Sequence, residues 1–387
     1  MSASVTVAWL AALAWGWMLL ARGFFWRIER PRPAPRPESW PPVTALVPAR
    51  NEAEVIAQAV GSLLAQDYPG AFRVVVTDDH STDGTADLAR AAAARLGAEA
   101  RLTVIRASAL PSGWSGKMWA QSQALSTAIE TYPDTELLLL TDADIGHAPD
   151  ELTRMVARLL AEKSDLASLM VRLSTACFAE KAVVPAFVFF FRLLYPFRWV
   201  ADPSKATAAA AGGYMLIRRS MLEKIGGLAA IKNALIDDCS LAATVKRAGG
   251  RLSLDLSQDT ISLRGYPKAE ELWMMIARSA YTQLRCSPGL LAGTVVSMSI
   301  TFLAPPLLSL TSGPQALPAL LAWVLMSLAF APMLRFYRQS LIWAPLLPLT
   351  ALFYLGATVD SARRHWMGRG GEWKGRIQAS DRIRREG

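Results

Sequence analysis

Cysteine is scarce in these 387 residues. The three that occur, Cys177, Cys239 and Cys286, are odd in number and far apart. That excludes a disulfide framework and offers no zinc-ligand spacing, so reduced thiols in a cytosolic compartment are expected. Charge is scarce as well: 19% of residues are charged and 52% are hydrophobic, where an ordinary soluble domain is about 25% charged. A disordered or collagen-like chain is excluded, and a wholly soluble globule is disfavoured. No internal repeat is present. The net charge of +9 is confined to two places. Residues 22–38 hold five arginines against two glutamates, residues 361–387 hold eight basic residues against three acids, and the rest is nearly neutral. Nucleic acid is therefore a poor partner, since a basic groove belongs within a domain. Basic clusters beside apolar segments fit the cytoplasmic side of a membrane.

The first 21 residues carry no charge and centre on VTVAWLAALAWGWMLLA. A cleaved signal peptide, the alternative, would be basic before its apolar run. Here the arginines follow it, which puts the N-terminus outside and the chain after Arg22 in the cytoplasm. Residues 286–334 are again uncharged, long enough for two spans of about 20 residues, with a break expected near Ser312-Gly313-Pro314. Residues 341–359 form a further uncharged stretch about one span long. Three C-terminal spans would send the basic tail outside, against its charge; a re-entrant segment at Pro305-Pro306 is one resolution. The 13 tryptophans and 23 prolines suit membrane interfaces and helix breaks.

Residues 43–285 differ. The β-rich runs VTALVPA (43–49), FRVVVTD (72–78), RLTVIRA (101–107) and ELLLLTD (136–142) alternate with helical stretches over 52–66, 85–96 and 116–130. Strand alternating with helix predicts a parallel α/β sheet covered on both faces. Ligands bind beyond the carboxyl ends of such strands.

Polar clusters stand at those ends: Pro48-Ala49-Arg50-Asn51-Glu52, then Asp78-Asp79-His80-Ser81-Thr82-Asp83-Gly84-Thr85, then Thr141-Asp142-Ala143-Asp144. Helix capping accounts for some of them, with Asp83 or Thr85 capping one helix and Asn51 another. It does not account for Asp142 and Asp144, which share a side of an extended chain and suit a hard divalent ion such as Mg²⁺ or Mn²⁺. Gly113-Trp114-Ser115-Gly116-Lys117 opens a helix, where backbone N–H groups can approach a phosphate; a plain turn is the competing explanation. Gly212-Gly213-Tyr214 and Ile236-Asp237-Asp238-Cys239-Ser240-Leu241-Ala242 follow, the second opening a helix whose dipole favours acids in any case. Residues 278–285, RSAYTQLR, read as a basic helix flanking the membrane. Residues 183–200, VVPAFVFFFRLLYPFRWV, read either as a core helix or as an amphipathic interfacial helix beside a lipid.

The ordered set resembles the family 2 glycosyltransferases over residues 43–285. PARNE is similar to the family's P-x-x-N-E, DDHSTDGT to its nucleotide-holding signature, DAD to its D-x-D metal motif and IDDCSLA to its E-D-x-x-L motif. GWSGKMWA, the N-terminal anchor and Glu372-Trp373-Lys374-Gly375-Arg376 resemble the branch of ceramide glucosyltransferases and bacterial hopanoid-associated enzymes. Asp237 stands where the family has Glu. The family's Q/R-x-x-R-W is met only partly, at Arg278–Tyr281 and at Gln283–Cys286, which leaves open which arginine meets the diphosphate.

The resemblance implies an α/β GT-A nucleotide-sugar domain, Rossmann-like with a mostly parallel sheet, with N-terminal and C-terminal transmembrane helices. The expected division is an anchor at 1–26, a Pro/Arg-rich linker at 27–42, the glycosyltransferase domain at 43–285, two to three transmembrane or re-entrant segments at 286–360 and a basic cytoplasmic tail at 361–387. The implied activity is inverting transfer of a sugar, UDP-linked, to a lipid acceptor such as a hopanoid. Asp238 maps to the base and Asp237 to its support. Asp144 and Asp142 map to the Mg²⁺ or Mn²⁺ site, and Pro48, Ala49, Arg50, Asn51, Glu52, Asp78, Asp79, Ser81, Lys117, Asp142, Gly213, Arg278, Gln283 and Arg285 to substrate binding. The partners implied are a nucleotide-sugar, a lipid and the bilayer, with the catalytic domain on the cytoplasmic side of a multi-pass inner-membrane protein. The alternatives are transfer to a polyprenyl phosphate and a catalytically silent membrane protein. A channel or transporter would carry charge within its spans, and these have none.

Overall fold

In the computed structural model, which describes residues 2–29, 33–368, 372–373 and 376–377, the four β-rich runs form β1 (Val43–Ala49), β2 (Phe72–Asp78), β3 (Leu102–Arg106) and β4 (Leu137–Leu140). Four more strands complete the sheet: β5 (Ile145–Gly146), β6 (Leu166–Arg172), β7 (Met215–Arg218) and β8 (Leu252–Ser262). The order is β3-β2-β1-β4-β7-β6-β8-β5. From β3 to β4 every pairing is parallel. Beyond β4 the sheet is mixed: β7 runs antiparallel to both β4 and β6, β6 and β8 are parallel, and β5 is antiparallel to β8. The expected α/β class holds, with antiparallel pairings in its second half.

The chain divides into two compact units. The sheet unit takes residues 31–174 and 199–264, together with 372–387. All seven residues of β1 and all four of β4 are buried, as a strand covered on both faces requires. The helices Ile56–Leu64, Thr85–Arg95, Gly116–Thr131 and Glu151–Ala161 follow strands in the α/β manner. Replacing one of Leu137–Leu140, each at most 1% exposed, by alanine would cost about 2–5 kcal/mol. Register sets the site. Ala49 pairs with Asp78, and Asp78 with Arg106, so these strand ends finish together. At the other edge Ile145 pairs with Ser262, which carries Asp144 to the end of β8.

The apolar unit takes residues 1–30, 175–198 and 265–371. Residues 175–198 and 265–285, which fall within the span read above as one domain, group with the apolar helices. Among the described residues, three helices are long and apolar enough to cross a membrane: Ala3–Ala21, Pro288–Ser309 and Ala316–Phe336. The break between the last two falls where Ser312-Gly313-Pro314 predicts it. Pro288–Ser309 runs through Pro305-Pro306 by widening to a π-helical turn at Ser299–Leu303. The Thr301 carbonyl, four residues before Pro305, has no helical N–H to accept; the indole of buried Trp15 donates to it at 2.8 Å. Leu347–Trp366 ends in Asp360, Arg363 and Arg364 and is not among the three candidate spans.

Residues 183–200 are not one helix. Phe178–Leu194 contains Pro185 and buries Val188, Phe189 and Arg192; a short helix, Phe197–Ala201, begins after Pro196. Arg22 donates to the terminal carbonyl of Leu193 at 2.6 Å, and Arg192 donates to Phe25 O at 2.8 Å. RSAYTQLR is likewise broken, because the helix Ala269–Ala277 ends before it and only Ala280–Gln283 is helical within it. The basic tail from 369 onward lies largely outside the described residues.

Candidate active site

The first two polar clusters close on each other. Asn51 adopts a left-handed φ of 49°, which Asn tolerates better than most residues. Its N–H donates to Ser81 Oγ at 2.9 Å, and its side-chain oxygen accepts the Thr82 N–H at 3.0 Å. Asn51 thus ties two loops together and does not cap the following helix, which starts at Ile56. Asp83 accepts the N–H groups of Ala53 and Thr85, so it braces the two loops, while the N-cap position of the helix is Gly84. Arg50 donates to the Asp79 carbonyl at 2.6 Å and lies 3.6 Å from the Asp79 carboxylate. Asp78 accepts the Ser81 N–H at 3.2 Å. Pro48 and Ala49 are the buried end of β1.

The third cluster gathers acids. The chain turns at Ala143–Asp144 and does not run extended as the D-x-D reading assumed. The two carboxylates still lie near enough for Asp142 to act on Asp144: burial, then the charges of Asp142 and Glu52, push Asp144 up to about 6 against the pull of Arg264. Arg264, just past β8, pairs with Glu52 and stands 3.6 Å from Asp144. Lys117, on the first turn of Gly116–Thr131, lies 2.8 Å from Asp142 and 3.0 Å from Asp237. Burial pulls this lysine's pKa down; the two carboxylates outweigh it, raise it above the usual lysine value and keep the ammonium protonated.

The fourth group opens the helix Asp237–Arg247. Asp238 accepts the Gly212 N–H at 3.0 Å and the Cys239 N–H at 2.6 Å. Burial and the adjacent Asp237 raise it to about 6, while the two amides and Lys117 pull the other way. A Cβ on Gly212 would lie 3.5–3.6 Å from Lys117 Nζ, Asp142 and Asp238. Gly212 is therefore a floor between the D-x-D acids and Asp238. Such a constellation presents a proton acceptor beside a patch of carboxylates suited to a hard cation. Among the described residues no three His, Cys, Asp or Glu side chains are grouped to hold a metal alone.

The sheet unit thus brings together Glu52, Lys117, Asp142, Asp144, Asp237 and Asp238. Arg278, Gln283 and Arg285 belong to the apolar unit. There Arg278 and Arg285 are exposed, and Gln283 donates to the Tyr195 hydroxyl. Sequence reasoning missed Arg264. Its signal was a lone arginine after an alternating run, and that run was not recognised as β8. It also missed the hydroxyls of Thr141 and Ser168, which hold the Gly212–Gly213 turn.

A family model described as Glycosyl transferase family 21 matches residues 5–377. A beta-monoglucosyldiacylglycerol synthase from Nostoc sp. is 35% identical over 126 residues, 32% of this chain and 25% of that protein. An N-acetylglucosaminyltransferase from Mesorhizobium japonicum is 30% identical over 126 residues, 32% of this chain and 27% of that one. The match therefore spans about a quarter of these curated relatives. A solved mannosyltransferase from Pyrobaculum calidifontis, in complex with GDP-Man and Mn²⁺, superposes with a TM-score of 0.54 at 22% identity, covering 94% of this chain and 99% of that chain. It shares the fold.

Proposed function

The chain belongs to glycosyl transferase family 21, and from that premise we propose that it moves a sugar from a nucleotide-sugar to the hydroxyl of a membrane lipid with inversion, Asp238 acting as the base. The observation that carries the proposal is the Asp238 carboxylate, fixed by the Gly212 and Cys239 amides across a glycine floor from the D-x-D acids. Asp238 takes the proton of the lipid hydroxyl. The oxygen then bonds to the anomeric carbon as the bond from that carbon to the diphosphate breaks, and the nucleoside diphosphate leaves. Attack from the opposite face passes through an oxocarbenium-like state and inverts the centre.

The donor's uridine rests against residues 48–52 and Asp78-Asp79 in this proposal. Asp144 and Asp142 would hold a divalent cation; the carboxylate crowding that raises Asp144 supports this donor set. The chemistry supplied by Mg²⁺ or Mn²⁺ bound there would be neutralisation of leaving-group charge. Lys117 keeps Asp237 and Asp142 apart from the proton transfer by pairing with both.

The glycolipid synthase among the relatives supports a lipid acceptor, and a hopanoid is the finer reading that the anchor and tail suggest. Transfer to a polyprenyl phosphate is less favoured, because a phosphate oxygen is already ionised at neutral pH and needs no base. The anchor at 1–26, linker at 27–42, catalytic residues within 43–285, spans within 286–360 and tail at 361–387 then describe a multi-pass inner-membrane protein. Three crossings by the three apolar helices take the chain in, out and in again, so the catalytic residues and the tail share the cytoplasmic side. That agrees with the charge of both basic clusters.

The experiment is a panel of labelled UDP-glucose, UDP-galactose, UDP-N-acetylglucosamine and GDP-mannose, incubated with membranes containing the protein and followed by lipid extraction. A labelled lipid that depends on the protein is expected. Release of free sugar alone, with every lipid unlabelled, contradicts the proposal.

A further inference from the structure

We infer that His147 is a positioning residue for the base: through Thr141 it fixes the Gly212–Gly213 turn whose amide holds the Asp238 carboxylate. The inference rests on reading Asp238 as the base.

His147 is one of three histidines in the chain, is 6% exposed, and takes no part in the chemistry proposed above. Its Nε2 lies 3.2 Å from Thr141 Oγ1. The Thr141 hydroxyl points its single hydrogen at the Gly213 carbonyl, 2.7 Å away, and a carbonyl has no hydrogen to return. Thr141 Oγ1 must therefore accept from the ring, which assigns the His147 proton to Nε2. Burial lowers His147 to about 3, so the ring stays neutral and keeps that tautomer across the working pH range. The histidine is itself anchored: its backbone N–H donates to Ser62 Oγ at 3.0 Å, and its ring packs against Tyr214 with centroids 5.6 Å apart.

The turn is pinned from its other side as well. Ser168 Oγ accepts the Ala211 N–H at 2.9 Å and donates to the Tyr214 carbonyl at 2.9 Å. Thr141 and Ser168 are at most 1% exposed. Two buried hydroxyls therefore hold residues 211–214, and the turn has little freedom to rotate its amides. A Cβ at Gly213 would stand 3.0 Å from both Val171 methyls, which presses the backbone against β6. The Gly212 N–H, at the end of this brace, is one of two amides that donate to Asp238 among the described residues. Hydrogen bonds to a carboxylate both aim it and favour its ionised form. The other charged groups acting on Asp238 are Asp237 and Lys117.

The test compares Thr141→Val, Thr141→Ser, His147→Leu and His147→Gln in the detergent-solubilised full-length chain. UDP release is followed with UDP-glucose and dioleoylglycerol, or with the more active donor and lipid of the panel above. Thr141→Val is expected to lower kcat at least about tenfold, leave the donor KM within twofold, and move the acid limb of kcat to higher pH. Thr141→Ser, which keeps the hydroxyl, restores both. His147→Leu moves kcat and the acid limb the same way, and His147→Gln, which keeps an N–H donor, recovers part of each. Unchanged kcat and acid limb in both Thr141→Val and His147→Leu, with only a lower Tm, would overturn the inference. So would equal losses in Thr141→Val and Thr141→Ser. Asp238→Asn is run beside them. If it is inactive while Thr141→Val and His147→Leu behave as wild type, the brace fails and the base stands; if it is active, the reading of the base fails.

Discussion

The ammonium of Lys117 stands 3.0 Å from the Asp237 carboxylate, and this pairing separates two acids that are adjacent in the chain. Neighbouring residues on a helix diverge by about 100°. Asp237 turns to the lysine, and Asp238 turns to the Gly212 and Cys239 amides. Lys117→Met would remove the counter-charge of Asp237 and Asp142 together. Losing a charged hydrogen-bond partner in a half-buried site should destabilise the sheet unit by about 1–3 kcal/mol, read as a lower Tm in thermal unfolding. A Tm equal to wild type would show that Lys117 is not a structural tie.

The pH dependence follows from Asp238. Burial and Asp237 raise its carboxyl to about 6, and a base works only when deprotonated. The kcat profile should be flat above about pH 7 and fall tenfold per unit well below 6. A profile flat down to pH 4.5 would exclude a base with a raised carboxyl.

Asp144 carries the metal assignment. Asp144→Ala removes a crowded carboxylate and leaves Arg264 its pair with Glu52, so the protein should insert and fold. Activity should fall at least about 10²-fold, and EDTA should abolish the wild-type rate. Full wild-type activity in EDTA would contradict the assignment.

Topology is checked with a cysteine-free background carrying Ser380→Cys. A membrane-impermeant maleimide added to intact cells should leave it unlabelled and label it after lysis. Labelling before lysis would place the tail outside, against the three-crossing count.

The first half of the sheet was legible because β1, β2 and β4 are buried, β-rich runs with acids following their ends, β3 is a half-buried run of the same composition, and the breaks between them carry ordinary turn residues. Strands β6 to β8 were not read. Leu166–Arg172 lies between a helix and a loop with no turn signal of its own, and Leu252–Ser262 is interrupted by a register shift against β6. Asp142, Asp144, Asp237 and Asp238 were legible as motifs, because each sits beside a strand end or opens a helix. Arg264 was not named, and Gly212 was named within Gly212-Gly213-Tyr214 without a role, because both roles exist only once β8 and the 211–214 turn fold beside the acids. The helix expected over 278–285 fails at Ser279, whose φ of −124° ends the helical path.

The division of labour between Asp237 and Asp238 is tested most directly by the two asparagine variants, assayed together with the same labelled donor and lipid. Asparagine keeps the shape of the side chain and cannot accept the proton. Asp238→Asn should bind the nucleotide-sugar with near-normal affinity and turn over at least about 10²-fold more slowly, while Asp237→Asn loses less. An active Asp238→Asn beside an inactive Asp237→Asn would contradict the account and move the base to the residue that faces Lys117.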